Sequence, residues 1–282
     1  MSTLAGRWRL LREGAAPGAW NMAEDLALME GDGLLPTLRL YTWDRPTLSL
    51  GYAQDADAVV DWAEAARLGV PVVRRPTGGA SVLHDGALEV TYSVVAPESA
   101  LPQAVVEAYR LLADALVAGL SRLGIEAALS PETVAAADRS AVCFEQPSRY
   151  ELVCGGKKTV GSAQCRRFGR VLQHGAVPLH LDCERAVAVL RGDRAAMARR
   201  LVRHGGGLDE AAGRMLAWDE VADALTAGFE TALGARFEAG SLTPAEQARR
   251  AAWLADGTLG PIAAGEGRAA RDRLGQTLAA GR

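Results

Sequence analysis

The segment VCFEQPSRYELVCGGKKTVGSAQCRR, residues 142–167, holds three of the chain's four cysteines and two adjacent lysines. Residues of these types could bind a metal, form a redox pair, or use one thiol as a nucleophile. A structural metal site needs clustered ligands. Cys143, Cys154, Cys165 and Cys183 form no C-x-x-C pair, and the chain has no H-x-x-x-H pair. No metal is therefore expected. A free cysteine is most often a small buried apolar residue, so at most one of the four is expected to do chemistry. Cys154, on a strand beside a turn, reads as packing. Cys165 precedes Arg166 and Arg167, which could activate it but fit a solvated edge better. Cys183 stands where a helix begins and could have a lowered pKa there, although packing or exposure fits it better.

The lysines lie in ELVCGGKKTVGSAQ. Strand alternation puts Lys158, Val160, Ser162 and Gln164 on one face, and Lys157, Thr159, Gly161 and Ala163 on the other. Lysine is ordinarily solvated. The run Gly161-Ser162-Ala163, however, marks a place where a ligand or another backbone comes close. A lysine beside it could reach a carbonyl. A second candidate is RRPTGGASVLHD, residues 74–85. Its glycines permit a tight bend whose N–H groups could cradle an anion or a carbonyl. Arg74 and Arg75 fall on opposite faces of the preceding strand, so one can point into a pocket. The plainer reading is a glycine turn with solvated arginines. It is not a P-loop, because no Lys-Ser or Lys-Thr follows at the required distance.

The elements that must position these residues are legible from periodicity and turn chemistry. A helix is expected over 21–31, with Met22, Leu26 and Met29 on one side and Gly31 as its stop. Two strands flank Asp44-Arg45-Pro46 within 37–54, and a short helix covers 60–69. A strand runs into Arg74-Arg75. Beyond the bend, two alternating runs joined at Asp85-Gly86 read as a hairpin. A long amphipathic helix covers 102–123. Strands 150–154 and 157–164 flank a Gly155-Gly156 turn, and a further strand pair is expected near 169–182. Helices follow at 217–234 and 243–255, the second opened by a Thr243–Glu246 capping box with Pro244 at its first position. The last 25 or so residues, rich in Ala, Gly and Arg, read as partly loose. Together these elements predict an α+β fold of mixed, largely antiparallel sheets with flanking helices. No composition break marks a second domain. The formal net charge of -3 argues against nucleic-acid or membrane-surface binding. No 18-residue apolar run and no signal-peptide pattern is present, so a reducing cytoplasm and free thiols are expected.

The ordered set NMAEDLAL, PTLSLGYAQ, RRPTGGASVLHD, CFEQPSRYEL, GKKTVGSAQ and LQHG resembles the lipoate/biotin protein ligase–transferase superfamily over roughly residues 18–235. Within it, the match is to octanoyltransferases that move octanoyl from acyl carrier protein to lysines of lipoyl domains, such as the glycine cleavage H protein. The resemblance implies a catalytic domain over 1–240, with 241–282 as a C-terminal helix and partly loose tail of the same domain. In the branch with C-F-x-x-P-S-x-Y-E-L, that cysteine, Cys143 here, forms an acyl-thioester. The lysine of G-[KR]-K-x-x-G-S-A, Lys158 here, is expected to lower the thiol pKa and hold the acyl carbonyl. Arg75, Gly78, Gly79, His84, Gly161, Ser162 and Ala163 are expected to line the acyl pocket. His174 is a lone strand histidine that is more often structural, but it could shuttle a proton from the incoming lysine. Ala80 stands where many relatives have Arg. Val171 stands where another branch carries its nucleophile, which points back to Cys143.

The resemblance implies no cofactor. It implies two protein partners, octanoyl-acyl carrier protein as donor and a lipoyl-domain protein as acceptor, and a monomer. The carrier is acidic as a class, so a basic patch is expected, with Arg166, Arg167 and Arg170 as candidates on charge alone. Three other readings compete. An ATP-dependent lipoate ligase of the same fold would not need Cys143, and residues 240–282 hold only one good helix where many such ligases carry a further domain. An amidotransferase between lipoyl-domain proteins would also use a cysteine. A non-catalytic acyl or carrier-binding module would have no reason to keep both the thiol and the lysine.

Overall fold

The computed structural model describes residues 4–31, 33, 35–130 and 151–280. The elements run β1 (Gly6–Ala16), α1 (Gly18–Glu30), β2 (Thr37–Trp43), β3 (Thr47–Leu50), α2 (Ala56–Val59), α3 (Trp62–Leu68), β4 (Val72–Arg74), β5 (Val82–His84), β6 (Glu89–Pro97), α4 (Val105–Arg122) and β7 (Ala127–Leu129). They continue β8 (Leu152–Cys154), β9 (Lys157–Arg167), β10 (Arg170–Pro178), α5 (Arg194–His204), α6 (Leu208–Ala212), α7 (Trp218–Leu233), β11 (Ala235–Ala239), α8 (Pro244–Ala255) and α9 (Gly267–Ala280).

Eight strands form one sheet in the order β11-β1-β2-β6-β10-β9-β8-β7, and β4-β3-β5 form a second. In the large sheet β1 is parallel to both β2 and β11. The pairs from β2 through β7 are antiparallel. The α+β expectation therefore holds. One face of the sheet packs Leu38, Leu40, Tyr92, Val94, Val160 and Val177 with α4 and α7. Those two helices touch backbone to backbone. A Cβ on Gly228 would fall 2.3 Å from the Gly119 nitrogen. The opposite face packs Leu11, Tyr41, Val95 and Leu172 against α1, α8 and α9.

The local rules hold where the signals are strong. Helix α8 has both arms of its capping box, between Thr243 and Glu246, with Pro244 as its first residue. Gly155 and Gly156 take φ of 56° and 81° in the β8–β9 turn, the left-handed pair that a two-residue hairpin needs.

Three expectations are corrected. The runs joined at Asp85-Gly86 do not form a hairpin: β5 pairs with β3, whereas β6 pairs with β2 and β10. The connection is tied over the end of β2, where the Thr42 hydroxyl donates to the Gly86 carbonyl. Residues 169–182 hold one strand, β10, instead of a pair. Gly175 lies within it, where a Cβ would meet the Gly161 carbonyl oxygen at 2.5 Å. The Ala-, Gly- and Arg-rich end, expected to be partly loose, contains α9. Its buried Ala270, Leu274 and Leu278 recur every four residues and make one apolar stripe. Residues 241–282 thus hold two helices. No helix among the described residues is long and apolar enough to cross a membrane.

Candidate active site

Lys158 is placed by a β-bulge. Leu152 pairs with Val160, but Val153 pairs with Lys158, so Thr159 is an extra residue in β9. The bulge breaks the alternation read from the sequence. Val160, Ser162 and Gln164 face the α4–α7 side. Lys158 joins Gly161, Ala163 and His174 on the opposite face, because Gly161 pairs with Ala176 and Ala163 with His174. On that face Lys158 is 1% exposed. Its Nζ lies 2.7 Å from Oε1 of Glu151, itself largely buried. A buried ammonium needs such a counter-charge to stay protonated. Glu151 lies inside the Y-E-L motif, yet the sequence reading assigned it no role.

His174 sits mid-strand on β10 with both ring nitrogens engaged. Nδ1 is 3.0 Å from Asp25 of α1, and Nε2 is 2.6 Å from the Thr77 hydroxyl. Asp25 is fully buried and also accepts from Ser93 and Arg39. Burial alone would raise its carboxyl. The hydrogen bond from His174 and the Arg39 guanidinium hold it below the usual range. Burial pushes the His174 imidazole below its ordinary value, more than Asp25 raises it. The ring is therefore neutral at pH 7, with its proton on Nδ1, and Thr77 donates to Nε2. This arrangement leaves no ring nitrogen open for a proton from an incoming amine. It makes His174 a bridge between α1 and the glycine bend.

The bend is fixed from both sides. Arg75, expected either in a pocket or in solvent, is buried. Its guanidinium donates to the Gly78 and Ala80 carbonyls at 2.8 and 2.6 Å, and to Ser49. Arg74 is buried as well and donates to the carbonyls of Gly51, Tyr52 and Gln54. Both arginines hold loops and neither is a solvated charge. Gly51 packs so close beneath that a Cβ there would lie 2.0 Å from the Gly79 carbonyl oxygen. Gly79 takes φ of 92°, and a Cβ on it would stand 4.0 Å from that of Ala163. The exposed tip of the bend therefore overhangs β9, while Thr77 beneath it is buried. No backbone carbonyl among the described residues accepts from the N–H groups of Gly78, Gly79 or Ala80. The tip can therefore present donors to an oxyanion.

His84 lies deeper than a pocket wall. It stacks on Trp43 with ring centroids 4.0 Å apart, and it bridges Ser49 and Glu89 at 2.9 and 2.8 Å. Ser49 in turn accepts from Arg75, so His84 supports the bend from below. The Ser162 side chain faces the other side of the sheet and bonds Tyr92 at 2.7 Å. Lys158, Gly161, Ala163 and His174 thus share one face of the sheet, and Gly79 overhangs it at Ala163. Arg75 and His84 stand behind them, and Ser162 points away.

The sequence reading missed Asp25, Thr77 and Arg39. A signal was present. Asn21, Glu24 and Asp25 sit in one helix, and Arg39 interrupts the apolar strand TLRLYTW. In the fold Arg39 is buried and donates to Asn21, Asp25 and Glu13.

Three of the cysteines can be judged. Burial raises the Cys154 thiol. It pushes Cys165, beside Met29, up to about 12 in spite of Arg167. Burial and then Asp182 raise Cys183. None of the three is poised as a thiolate. Cys143 lies outside the described residues. Among the described residues no group of three or more His, Cys, Asp and Glu could hold a metal.

Comparison with known proteins extends this geometry. Residues 17–230 match the family described as the lipoyl protein ligase A/B catalytic domain. The octanoyltransferase LipM of Kyrpidia tusciae is 47% identical over 254 residues, covering 85% of this chain and 92% of its own. The octanoyltransferase LipM of Symbiobacterium thermophilum is 41% identical over 252 residues, covering 85% and 91%. Among solved structures, lipoate-protein ligase A bound with ATP superposes with a TM-score of 0.75 at 26% identity, covering 89% of this chain and 95% of that one.

Proposed function

The chain belongs to the lipoyl protein ligase A/B catalytic domain family, and we infer that within it this protein is an octanoyltransferase of lipoate biosynthesis. The observation that carries this reading is the 47% identity to an octanoyltransferase over most of both chains. The fold alone would fit a ligase equally well, since an ATP-bound ligase superposes on it.

The donor is octanoyl-acyl carrier protein and the acceptor is a lysine of a lipoyl domain. Cys143 is the nucleophile. Its thiolate attacks the octanoyl thioester carbon. The carbon–sulfur bond to phosphopantetheine then breaks, and that thiol leaves and takes up a proton. The acceptor amine next attacks the acyl-enzyme, forms the amide, and releases the Cys143 thiol. Thioester exchange is nearly isoenergetic and aminolysis runs downhill, so no ATP is consumed. A free thiol with a pKa of about 8.5 is mostly protonated at neutral pH. An ammonium beside it favours the thiolate. Lys158, whose Nζ meets Glu151 Oε1 at 2.7 Å, is the group of the described site that fits this role. Burial raises the thiols of Cys154, Cys165 and Cys183, which supports Cys143 as the nucleophile. The bend at Gly78–Ala80 supplies donors for the carbonyl oxygen, each worth about 3 kcal/mol when fully used.

The test is transfer of octanoyl from carrier protein to a purified lipoyl domain without nucleotide, with free octanoate plus ATP as the second arm. Transfer is expected in the first arm alone. Transfer that requires ATP and free acid would establish the ligase reading, which the ATP-bound neighbour favours.

A further inference from the structure

A cleft of about 280 Å³ opens at the turn between β9 and β10, lined by Arg166, Arg167, Phe168, Gly169, Glu98 and Leu278 of α9. The turn that builds it is strained. Phe168 takes φ of 56° and Gly169 φ of 69°. A two-residue hairpin turn of this kind suits Asn, Asp and Gly, and a bulky aromatic adopts a positive φ only at a cost. A backbone held in so unfavourable a state points to a use for what it displays. Here it sets Phe168 and Arg167 on the same cleft.

The charges of the cleft are poorly matched. Arg166 and Arg167 are both half-buried. Arg167 has no hydrogen bond and no ion pair among the described residues. Arg166 donates to the Pro102 carbonyl at 2.6 Å, a neutral acceptor, and its Nε is buried without a partner. The acid of the cleft, Glu98, lies 3.9 Å from Arg166 and is itself 41% exposed. One loosely held carboxylate thus stands against two cations. Unpaired arginines also stand on α5, at Arg199 and Arg203, and on α9, at Arg268 and Arg273, but those side chains are exposed. A solvated charge asks for no partner, whereas a guanidinium withdrawn from water does. Arg170, the third arginine suggested from sequence, is largely buried and donates to the Gly33 carbonyl.

We propose that this cleft binds the phosphate of the phosphopantetheine arm on which the donor's acyl thioester hangs. This rests on the octanoyltransferase reading. Guanidiniums give phosphate oxygens charge-assisted hydrogen bonds. The arm carries a dimethyl carbon close to its phosphate, and Phe168 and Leu278 offer that carbon an apolar wall. The spacing agrees. The tip of the glycine bend stands over Ala163, where a Cβ on Gly79 would lie 4.0 Å from the alanine Cβ. Along β9, Arg167 follows Ala163 by four positions, about 13 Å. The arm joins sulfur to phosphorus through about thirteen bonds, which at roughly 3.4 Å per three bonds of extended chain span up to about 15 Å. A thioester carbonyl held at the bend therefore leaves the phosphate within reach of Arg167.

The test compares the full chain carrying Arg167→Gln with the wild type on two donors that differ only in the phosphate, octanoyl-phosphopantetheine and octanoyl-pantetheine. In the wild type the phosphate is expected to lower the Michaelis constant about tenfold. In Arg167→Gln the two donors should become nearly equal, with kcat little changed, and Arg167→Lys should recover part of the difference. A wild type that treats the donors alike, or a variant that raises both Michaelis constants together, would overturn the proposal. Titration calorimetry with phosphopantetheine, and with inorganic phosphate as a second probe, reads the cleft without turnover. Phosphopantetheine is expected to bind the wild type more tightly than inorganic phosphate does, and to bind Arg167→Gln about tenfold more weakly. Equal binding of the two probes, or binding unchanged by the substitution, would refute the assignment. If the wild type transferred octanoyl from neither donor nor from the carrier protein, the functional reading would fail, and the calorimetry would still decide the cleft.

Discussion

Replacing Thr77 with Val removes one oxygen and keeps the shape of the side chain. The hydroxyl it deletes lies 2.6 Å from His174 Nε2, with Thr77 0% and His174 5% exposed. Water cannot replace the donor easily at that depth, and a buried acceptor left unsatisfied costs about 2 kcal/mol. The melting temperature should fall by about 3–4 °C for a chain of this size. The larger effect is expected on the reaction. Thr77 connects the Asp25–His174 pair to the bend whose N–H groups are proposed to hold the acyl carbonyl. Displacing one such donor typically costs about a hundredfold in kcat. Thr77→Val should therefore lose about that factor in kcat, with little change in the donor Michaelis constant. Thr77→Ser keeps the hydroxyl and should retain near wild-type turnover. Steady-state transfer assays beside thermal melts separate the two effects. A Thr77→Val enzyme that melts lower yet turns over at the wild-type rate would show that this hydrogen bond has only a structural role.

Two further outcomes follow from buried charge. Burial and the adjacent Glu13 push Glu24 up to about 7, despite Arg39 and Arg250. A carboxyl with a raised folded pKa binds more protons folded than unfolded, so its stabilisation is full below about pH 4.5 and lost as pH rises through about 7. Glu24→Gln should remove that loss, which urea denaturation at pH 5 and pH 8 reads directly; an unchanged pH slope would sink the assignment. Lys158→Met removes the buried ammonium that Glu151 Oε1 meets at 2.7 Å and should cost about 3–5 kcal/mol. Adding Glu151→Gln should recover part of that loss, and strictly additive costs would show that the two side chains are not coupled.

Much of this arrangement was legible, for physical reasons that differ by element. The capping box of α8 and the Gly155-Gly156 turn are local chemistry, and both appear where the residue types demand them. The glycine bend was recognisable because Gly79 needs a positive φ and Gly51 needs room for the Gly79 carbonyl. The bulge at Thr159 has no local signature, since an extra residue shows only in the pairing with β8. That single residue decides which face carries Lys158. The role of α1 was hidden for another reason. Met22, Leu26 and Met29 mark an apolar stripe, but Asn21, Glu24 and Asp25 are buried too. Buried polar residues read as surface until the Arg39 partner on another element is known. Arg74 and Arg75 were hidden in the same way, because their partners are backbone carbonyls from β3, the loop after it and the bend.

The central claim is that one sulfur, that of Cys143, carries the octanoyl group between donor and acceptor. Intact-protein and peptide mass spectrometry after mixing with octanoyl-carrier protein, with no acceptor present, tests it most directly. The account predicts an octanoyl adduct on the Cys143 peptide that hydroxylamine removes and that disappears when a lipoyl domain is added. An adduct on Cys154, Cys165 or Cys183 instead, or ongoing transfer with no adduct on any cysteine, would contradict it.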